Sequence, residues 1–570
     1  MDKNQKCEPN SLKSKTLSSS LSPIQKAKVD SNTNPNSKLQ NDNTNSLSNV
    51  CFKCNKTFAT SMIVAMHSSR CSGNENWDNF GKFQSKEKEE KKEEKKEEKL
   101  IENKKVDDDS KDVKIKIDLD IDKDVNSSSN ATLQNLKNGR RIFNNLTEYT
   151  QYNYRPNFLE YRQLFFENLL LNSDLTENKK EPQNLESAIL STFVYESEMV
   201  EPLIQKFKIK TVLVKDQEGQ KLKEIEQSST IPFLTFIHPK INSSLHWGKF
   251  HSKLMILKFP LFLRVIVPTA NLTNADWYYQ GQSFWFQDFY LKKNTSLNTK
   301  AIDSKSNNTN NDFLSYLEII LSNIFPSNYK QTNWFKDLNI TLSDYDFSSA
   351  VVDLVASASG RFKDDMNDYG LSRIKKIMKR NKAIKYDKLT LQSSSIGTLK
   401  DKFIENFCSS FNYEKIKKDE SSFNIIFPDY EYVSSIQNGE DIACCLFLGQ
   451  DTFNSYKKYF RKLKIKKSHK IGNLIFHTKF IILKTKEENN NNNENTLFYF
   501  GSHNFSPSAW GNFEKSDSQI AIANYELGVI FNPSKLTKDE KNSIFETIIT
   551  DIEAIPYQKD ENAYTSSYKF

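Results

Sequence analysis

The chain has 570 residues, with 80 Lys or Arg against 72 Asp or Glu and a net charge of +8. Its mean hydropathy of −0.67 and lack of any run near the ~18 apolar residues of a membrane span exclude a membrane-spanning helix, and its first residues carry no apolar signal core. Seven cysteines, three of them clustered with a histidine, point to a metal site in a reducing compartment rather than a disulfide framework.

Residues 1–45 are mostly Ser, Asn and Lys and are predicted to be disordered, because they have too little apolar surface to offset ordering entropy. Residues 46–75 read as a small zinc finger. Cys51, Cys54, His67 and Cys71 have zinc-ligand spacing, and Phe58 and Val64 fall at the two core positions of a ββα finger. The helix positions that read bases in such fingers would be Thr60, Ile63 and Met66. None is Arg, Asn or Gln, so the finger is expected to bind a protein partner and not a DNA sequence. Residues 76–140 include KEKEEKKEEKKEEK, which has no apolar face and is read as a charged linker.

From residue 141 the texture changes. Strand-like runs (TVLVK, LMILKF, LRVIVPT, VVDLVA, LIFH, FIILK, TLFYF, IAIANYELGVIF) alternate with helical patterns (NFLEYRQLFFENLLL, LSYLEIILSNIF, LSRIKKIMKR), which predicts an α/β fold. Two segments repeat one pattern. GKFHSKLMILKF is followed by LRVIVPTANLTNADW, and LIFHTKFIILK by TLFYFGSHNFSPSAWG. Each has His-x-Lys opening an apolar strand, at His251/Lys253 and His477/Lys479, then a strand ending near an asparagine, Asn271 or Asn504. Trp277 and Trp510 follow those asparagines at equal spacing. Such a duplication predicts two similar halves, 141–347 and 348–570, facing each other across one site. Residues i and i+2 of a strand share a face, so each His projects with its Lys. Two ammonium groups and two amides can hold a phosphoryl group. One imidazole can attack phosphorus while the other protonates the leaving group. A third His-x-Lys, His238/Lys240, has proline between its members and no asparagine-ended strand after it, and is read as a surface or loop pair without a catalytic role.

These motifs resemble the phospholipase D superfamily and, within it, the tyrosyl-DNA phosphodiesterase family. The superfamily's usual Asp after the Lys is missing, and asparagine stands in both motifs. ADWYYQGQ, ANYELGV, VASASGRF and QSSSIGTL add to the likeness, which covers about residues 141–555. The resemblance implies two α-β-α halves of phospholipase D type forming one active site. It implies that His251 is the nucleophile, forming a phosphohistidine with a DNA 3′ phosphate, and that His477 is the general acid and then base. Lys253, Lys479, Asn271 and Asn504 would bind phosphoryl oxygens; Glu526 would partner His251 and Gln282 would partner His477. Trp247 would stack on a base, and Ser394 and Ser395 would grip DNA phosphates. No metal is expected in catalysis; zinc would be structural, in the finger.

The expected substrate is a DNA 3′ end carrying a tyrosyl peptide from topoisomerase I, handled by a nuclear monomer that has no membrane partner. The alternatives are a phospholipase D-like hydrolase of another phosphodiester and an inactive DNA-end-binding scaffold. The missing Asp argues against the first, and the intact His and Lys pairs against the second. The finger and the final AYTSSYKF depart from the family's usual pattern.

Overall fold

The computed structural model describes residues 142–145, 185–216, 223–245, 248–278, 280–292, 312–326, 337–380, 384–413, 420–436, 439–465, 475–485, 495–531, 533, 536 and 552–565. All lie in the compact unit Asn49–Phe570. The segments 1–45, 46–75 and 76–140, the finger residues Cys51, Cys54, His67 and Cys71, the helical pattern at 157–171, and Trp247 lie outside the described residues.

The first sheet is built from β1 (Ile142–Asn145), β2 (Ser187–Thr192), β3 (Lys210–Lys215), β4 (Ile225–Gln227), β5 (Leu234–Ile237), β6 (Leu254–Lys258), β7 (Phe262–Pro268) and, after the two-residue β8 (Gln280–Gly281), β9 (Ser283–Tyr290). The second takes β10 (Val352–Ser357), β12 (Lys388–Gln392), β14 (Phe423–Ile426), β16 (Phe460–Ile465), β18 (Lys479–Lys484), β19 (Leu497–Gly501), β22 (Glu526–Phe531) and β23 (Ile552–Pro556). Small separate sheets join β11 (Gly360–Phe362) with β20 (Asn512–Glu514) and β21 (Gln519–Ile522), β13 (Ser395–Ile396) with β15 (Phe447–Leu448), and β17 (Ile475–Phe476) with β8.

Two eight-stranded sheets result, ordered β1-β9-β7-β6-β2-β3-β5-β4 and β10-β22-β19-β18-β12-β14-β16-β23. At every step along the two orders the pairing sense is the same. Only β2·β3·β5 and β12·β14·β16 run parallel; the other pairs are antiparallel. A parallel step needs a crossover. Helix α1 (Ser197–Phe207) lies between β2 and β3, α2 (Phe313–Ile324) between β9 and β10, α3 (Gly370–Arg380) between β11 and β12, and α4 (Asp401–Ser410) between β13 and β14.

The central strands read as continuous apolar runs because both faces are covered. On the first sheet Ile189, Val212, Ile256 and Val265 enter a core that also holds Leu354, Ile481 and Val529 of the second. Their neighbours Leu190, Leu213, Leu257 and Ile266 face the other way, onto Val200 and Ile204 of α1. Helix α2 buries Phe313, Tyr316, Leu317, Ile320, Leu321 and Ile324, the stripe expected of a helix with one core face. No helix among the described residues is long and apolar enough to cross a membrane.

Two local expectations are corrected. The histidines do not lie within strands, since β6 begins at Leu254 and β18 at Lys479. The run IAIANYELGVIF is two strands, β21 and β22, separated by Ala523, Asn524 and Tyr525. Two backbone bonds account for these departures: the N–H of His251 donates to Tyr525 O at 2.9 Å, and that of His477 to Gly281 O at 3.0 Å. Each segment leaves its own ladder to bond across to the other sheet's chain.

Candidate active site

Those crossed backbone bonds set the side chains. Tyr525 precedes Glu526 and Gly281 precedes Gln282, so each histidine meets the next residue with its ring. His251 Nδ1 is 2.7 Å from Glu526 Oε2; His477 Nδ1 is 3.1 Å from Gln282 Nε2. The supporting hydroxyls also match. Ser502 Oγ donates to Glu526 Oε2 at 2.5 Å, and Thr269 Oγ1 to Gln282 Oε1 at 2.7 Å. Asn524 Nδ2 donates to Glu526 Oε1 at 3.0 Å. Burial pushes the Glu526 pKa up, against the pull of His503, Lys253, Ser502 and Asn524. Because both its oxygens already accept hydrogen bonds, the carboxylate is the form that fits, and it takes the Nδ1 proton of His251. The lone pair of His251 is thereby left on Nε2, as a nucleophile requires.

The lysines are folded back onto their own segments. Lys253 Nζ donates to His251 O at 2.9 Å and Lys479 Nζ to His477 O at 2.6 Å; both are at most 1% exposed. Burial, and then repulsion from Lys479, lowers Lys253 to about 7; burial lowers Lys479 to about 8. Burial also depresses both histidines, with the two lysines adding to it, and His477 falls to about 4. Four basic groups so close together, each depressed by burial and most by one another, are an arrangement that a bound anion would stabilise.

The asparagines are held by one repeated pattern. Asn271 Oδ1 accepts from Val194 N at 3.4 Å, and Asn504 Oδ1 from Ser395 N at 3.2 Å. Thr192 Oγ1 accepts from Leu272 N, and Ser393 Oγ from Phe505 N, both at 3.0 Å. With the carbonyl end of Asn504 so occupied, its amide N–H groups are what it offers a phosphoryl oxygen. Ser394 is 1% exposed, its hydroxyl 3.5 Å from Asn504 Oδ1. As placed it braces Asn504, whereas Ser395 is half-buried. Trp277 donates its indole N–H to Asn271 O at 2.8 Å, and Trp510 packs 4.3 Å from the His503 ring; both are core braces. His238 and Lys240 lie in the loop after β5, as expected, although His238 is buried beside Glu226; Lys240 is exposed and pairs with Glu224 at 2.7 Å.

Sequence reasoning missed Asp276, Ser502, Asn524 and His503. Asp276 Oδ2 accepts from Asn271 N at 2.5 Å and Asn271 Nδ2 at 3.0 Å, and is 3.1 Å from His477 Nδ1. Burial alone would raise its pKa, but His477, Asn271 and Lys253 outweigh that and hold it at about 2. A signal for it existed: in the aligned repeats, Asp276 stands opposite Ala509.

A family model described as tyrosyl-DNA phosphodiesterase matches residues 173–567. The chain belongs to the tyrosyl-DNA phosphodiesterase family. It is 28% identical to tyrosyl-DNA phosphodiesterase 1 of Arabidopsis thaliana over 61% of this chain and 57% of the relative. Against tyrosyl-DNA phosphodiesterase 1 of Drosophila melanogaster it is 24% identical, over 56% of this chain and 57% of the relative. The chain therefore spans somewhat over half the length of these curated relatives. A crystal structure of a histidine-to-alanine mutant of yeast tyrosyl-DNA phosphodiesterase superposes with a TM-score of 0.52 at 14% identity, over 75% of this chain and 99% of the yeast chain, a likeness of fold. The α/β fold read from the sequence is the family's.

Proposed function

We propose that this protein is a DNA-repair phosphodiesterase that hydrolyses the bond between a DNA 3′ phosphate and the tyrosine of trapped topoisomerase I, along with other 3′ adducts. One observation carries the reading. Two histidines, each with a buried lysine two residues on, share one site, and His251 is paired with a carboxylate while His477 faces an amide.

In this reading the chain from 141 to 347 and that from 348 to 570 are two phospholipase D-type halves sharing the site. Lys253, Lys479, Asn271 and Asn504 bind the non-bridging oxygens and stabilise charge on the phosphoryl group. His251 Nε2 attacks phosphorus, and the bond to the tyrosyl oxygen breaks as His477 Nε2 delivers its proton. Water then gives a proton to His477 and attacks the phosphohistidine, which releases a 3′ phosphate and restores His251. The bound phosphoryl charge offsets the two lysines, so substrate itself lifts the depressed His477 pKa toward the acid form. Trp247 and Ser395 contact the DNA strand, and Ser394 acts through Asn504. No metal takes part in the chemistry. Zinc at Cys51, Cys54, His67 and Cys71 builds a finger that docks a protein partner, and the enzyme works as a monomer in the nucleus.

The test is a 3′-phosphotyrosyl oligonucleotide incubated with the full chain in EDTA. A 3′-phosphate product, absent with His251→Ala, is expected. Loss of turnover that Mg2+ restores, and that Zn2+ sufficient to refill the finger does not, would move the chemistry onto a metal.

A further inference from the structure

We infer that Asp276, and not Gln282, is the acceptor of the Nδ1 proton of His477, which makes it the positioning residue that confines proton exchange to Nε2. This deepens the reading above, in which His477 is acid and then base.

The argument begins with the direction of an amide. Gln280 Nε2 donates to Ile442 O at 3.1 Å, which turns Gln280 Oε1 toward Gln282 Nε2 at 3.3 Å. At its other end Gln282 Oε1 accepts from Thr269 Oγ1. The amide N–H side of Gln282 therefore faces His477 Nδ1. An N–H can donate to a bare Nδ1 but cannot accept a proton from it. With Gln282 alone, neutral His477 would carry its proton on Nε2, and giving that proton away would leave an imidazolate. No general acid works that way.

Asp276 resolves the difficulty. Its Oδ2 stands 3.1 Å from the same Nδ1 and can accept from the imidazolium and from the neutral Nδ1–H tautomer alike. Between those two forms Nδ1 keeps its proton, while Nε2 loses one to the tyrosyl oxygen and regains one from water. The carboxylate is fixed by the N–H and Nδ2 of Asn271, and its Oδ1 lies 3.1 Å from Thr273 Oγ1. The asparagine proposed to hold the phosphoryl group and the acid are thus braced by one oxygen.

The internal repeat supplies an independent line. The two copies correspond at the His, Lys, Asn, Trp and supporting hydroxyl. They part where Glu526 faces Gln282 and where Asp276 faces Ala509. Together these two differences give each histidine one carboxylate. The charged groups acting on His477 are Lys479, Asp276 and Lys253, with His251 close enough to be coupled to it; of these, Asp276 is the one that favours the protonated ring.

Histidine-selective 15N labelling of the full chain reads the proposal directly, with His477 assigned by loss of its signals in His477→Gln. Neutral His477 is expected as the Nδ1–H tautomer, and Asp276→Asn is expected to lower its pKa by about one unit or more and shift it toward Nε2–H. An Nε2–H tautomer in the unaltered protein, or an unchanged titration in Asp276→Asn, overturns the inference. These readouts need no substrate, so they stand apart from whether phosphotyrosyl DNA is cleaved. Should Asp276→Asn not fold, the tautomer in the unaltered protein decides alone. In turnover, Asp276→Asn should slow release of tyrosine from a 3′ ester at least ten times more than release of p-nitrophenol, which needs little acid help. Equal slowing of both esters would reduce Asp276 to a brace for Asn271 and overturn its role toward His477.

Discussion

Glu526 reaches His251 across 275 positions of sequence and holds its Nδ1 at 2.7 Å. That bond sets which nitrogen carries the lone pair, so its loss should act on attack at phosphorus. Glu526→Gln is expected to slow formation of the covalent adduct on the order of 10²-fold, with DNA affinity little changed. Single-turnover kinetics on a 3′-phosphotyrosyl oligonucleotide would show it. Weaker binding at an unchanged rate would place Glu526 in substrate recognition instead.

The two histidines should fail differently. His251→Ala removes the proposed nucleophile, and the 3′ adduct should persist. His477→Arg leaves it in place. A phenol of pKa ~10 can depart slowly without an acid, whereas water then lacks its base. The His477 variant should accumulate as an acid-labile protein–DNA adduct that vanishes in the double variant with His251→Ala. Adducts trapped by His251→Ala instead would reverse the roles.

Lys253 is expected to lower stability where it serves function. It is buried, depressed to about 7 and repelled by Lys479. Lys253→Met should abolish turnover while raising Tm by about 2 °C or more, since replacing a buried charge by an apolar side chain is often stabilising by ~1–4 kcal/mol. A lower Tm would show that its hydrogen bond to His251 O outweighs the repulsion.

The same depressed groups give stability a pH slope. His477 and His503 have folded values of about 4 against 6.5 for the free side chain, so between about 4 and 6.5 the unfolded chain binds more protons and stability rises with pH. Lys253, about 7 against 10.5, adds a second rise from about 7 upward; its penalty is complete below 7. Urea midpoints measured without ligand should increase from pH 4.5 to 6.5 and again from 7 to 9. A fall across the second interval would contradict the assignment to Lys253.

Gly501 and Gly528 stand opposite each other on β19 and β22, and a Cβ on Gly528 would fall within the Tyr499 phenol. Ser357 Oγ donates to Ala509 O and therefore accepts from His503 Nε2, which leaves His503 Nδ1 to accept from Tyr499 OH at 2.6 Å. Gly528→Ala should displace this ring and cost about 1–3 kcal/mol by overpacking, measurable as a drop in urea midpoint. An unchanged midpoint would mean that the β22 backbone yields at no cost.

The repeated His-x-Lys and asparagine were legible because each copy rests on a local spacing that recurs. The strands were legible because sheets covered on both faces need unbroken apolar runs. Asp276 was missed because its partner His477 is remote and an acid in a short helical turn carries no local signature; its one mark in the sequence is the mismatch with Ala509 in the aligned repeats. The break at Ala523–Tyr525 escaped as well. Composition shows nothing of a backbone that leaves its sheet to receive His251, nor that Ser394 is buried with its hydroxyl 3.5 Å from Asn504 Oδ1.

The crossed anchors, His251 N–H on Tyr525 O and His477 N–H on Gly281 O, have an evolutionary meaning. Neither copy of the repeat orients its own histidine; each is aimed by residues encoded in the other. A single copy would thus leave its histidine without the Glu526 or Gln282 that the other copy supplies. Once both copies shared one chain, a change at position 282 or 526 could alter the distant histidine without touching its own. Two identical histidines are in this way given different surroundings, a carboxylate for His251 and an amide for His477, by residues of the opposite copy.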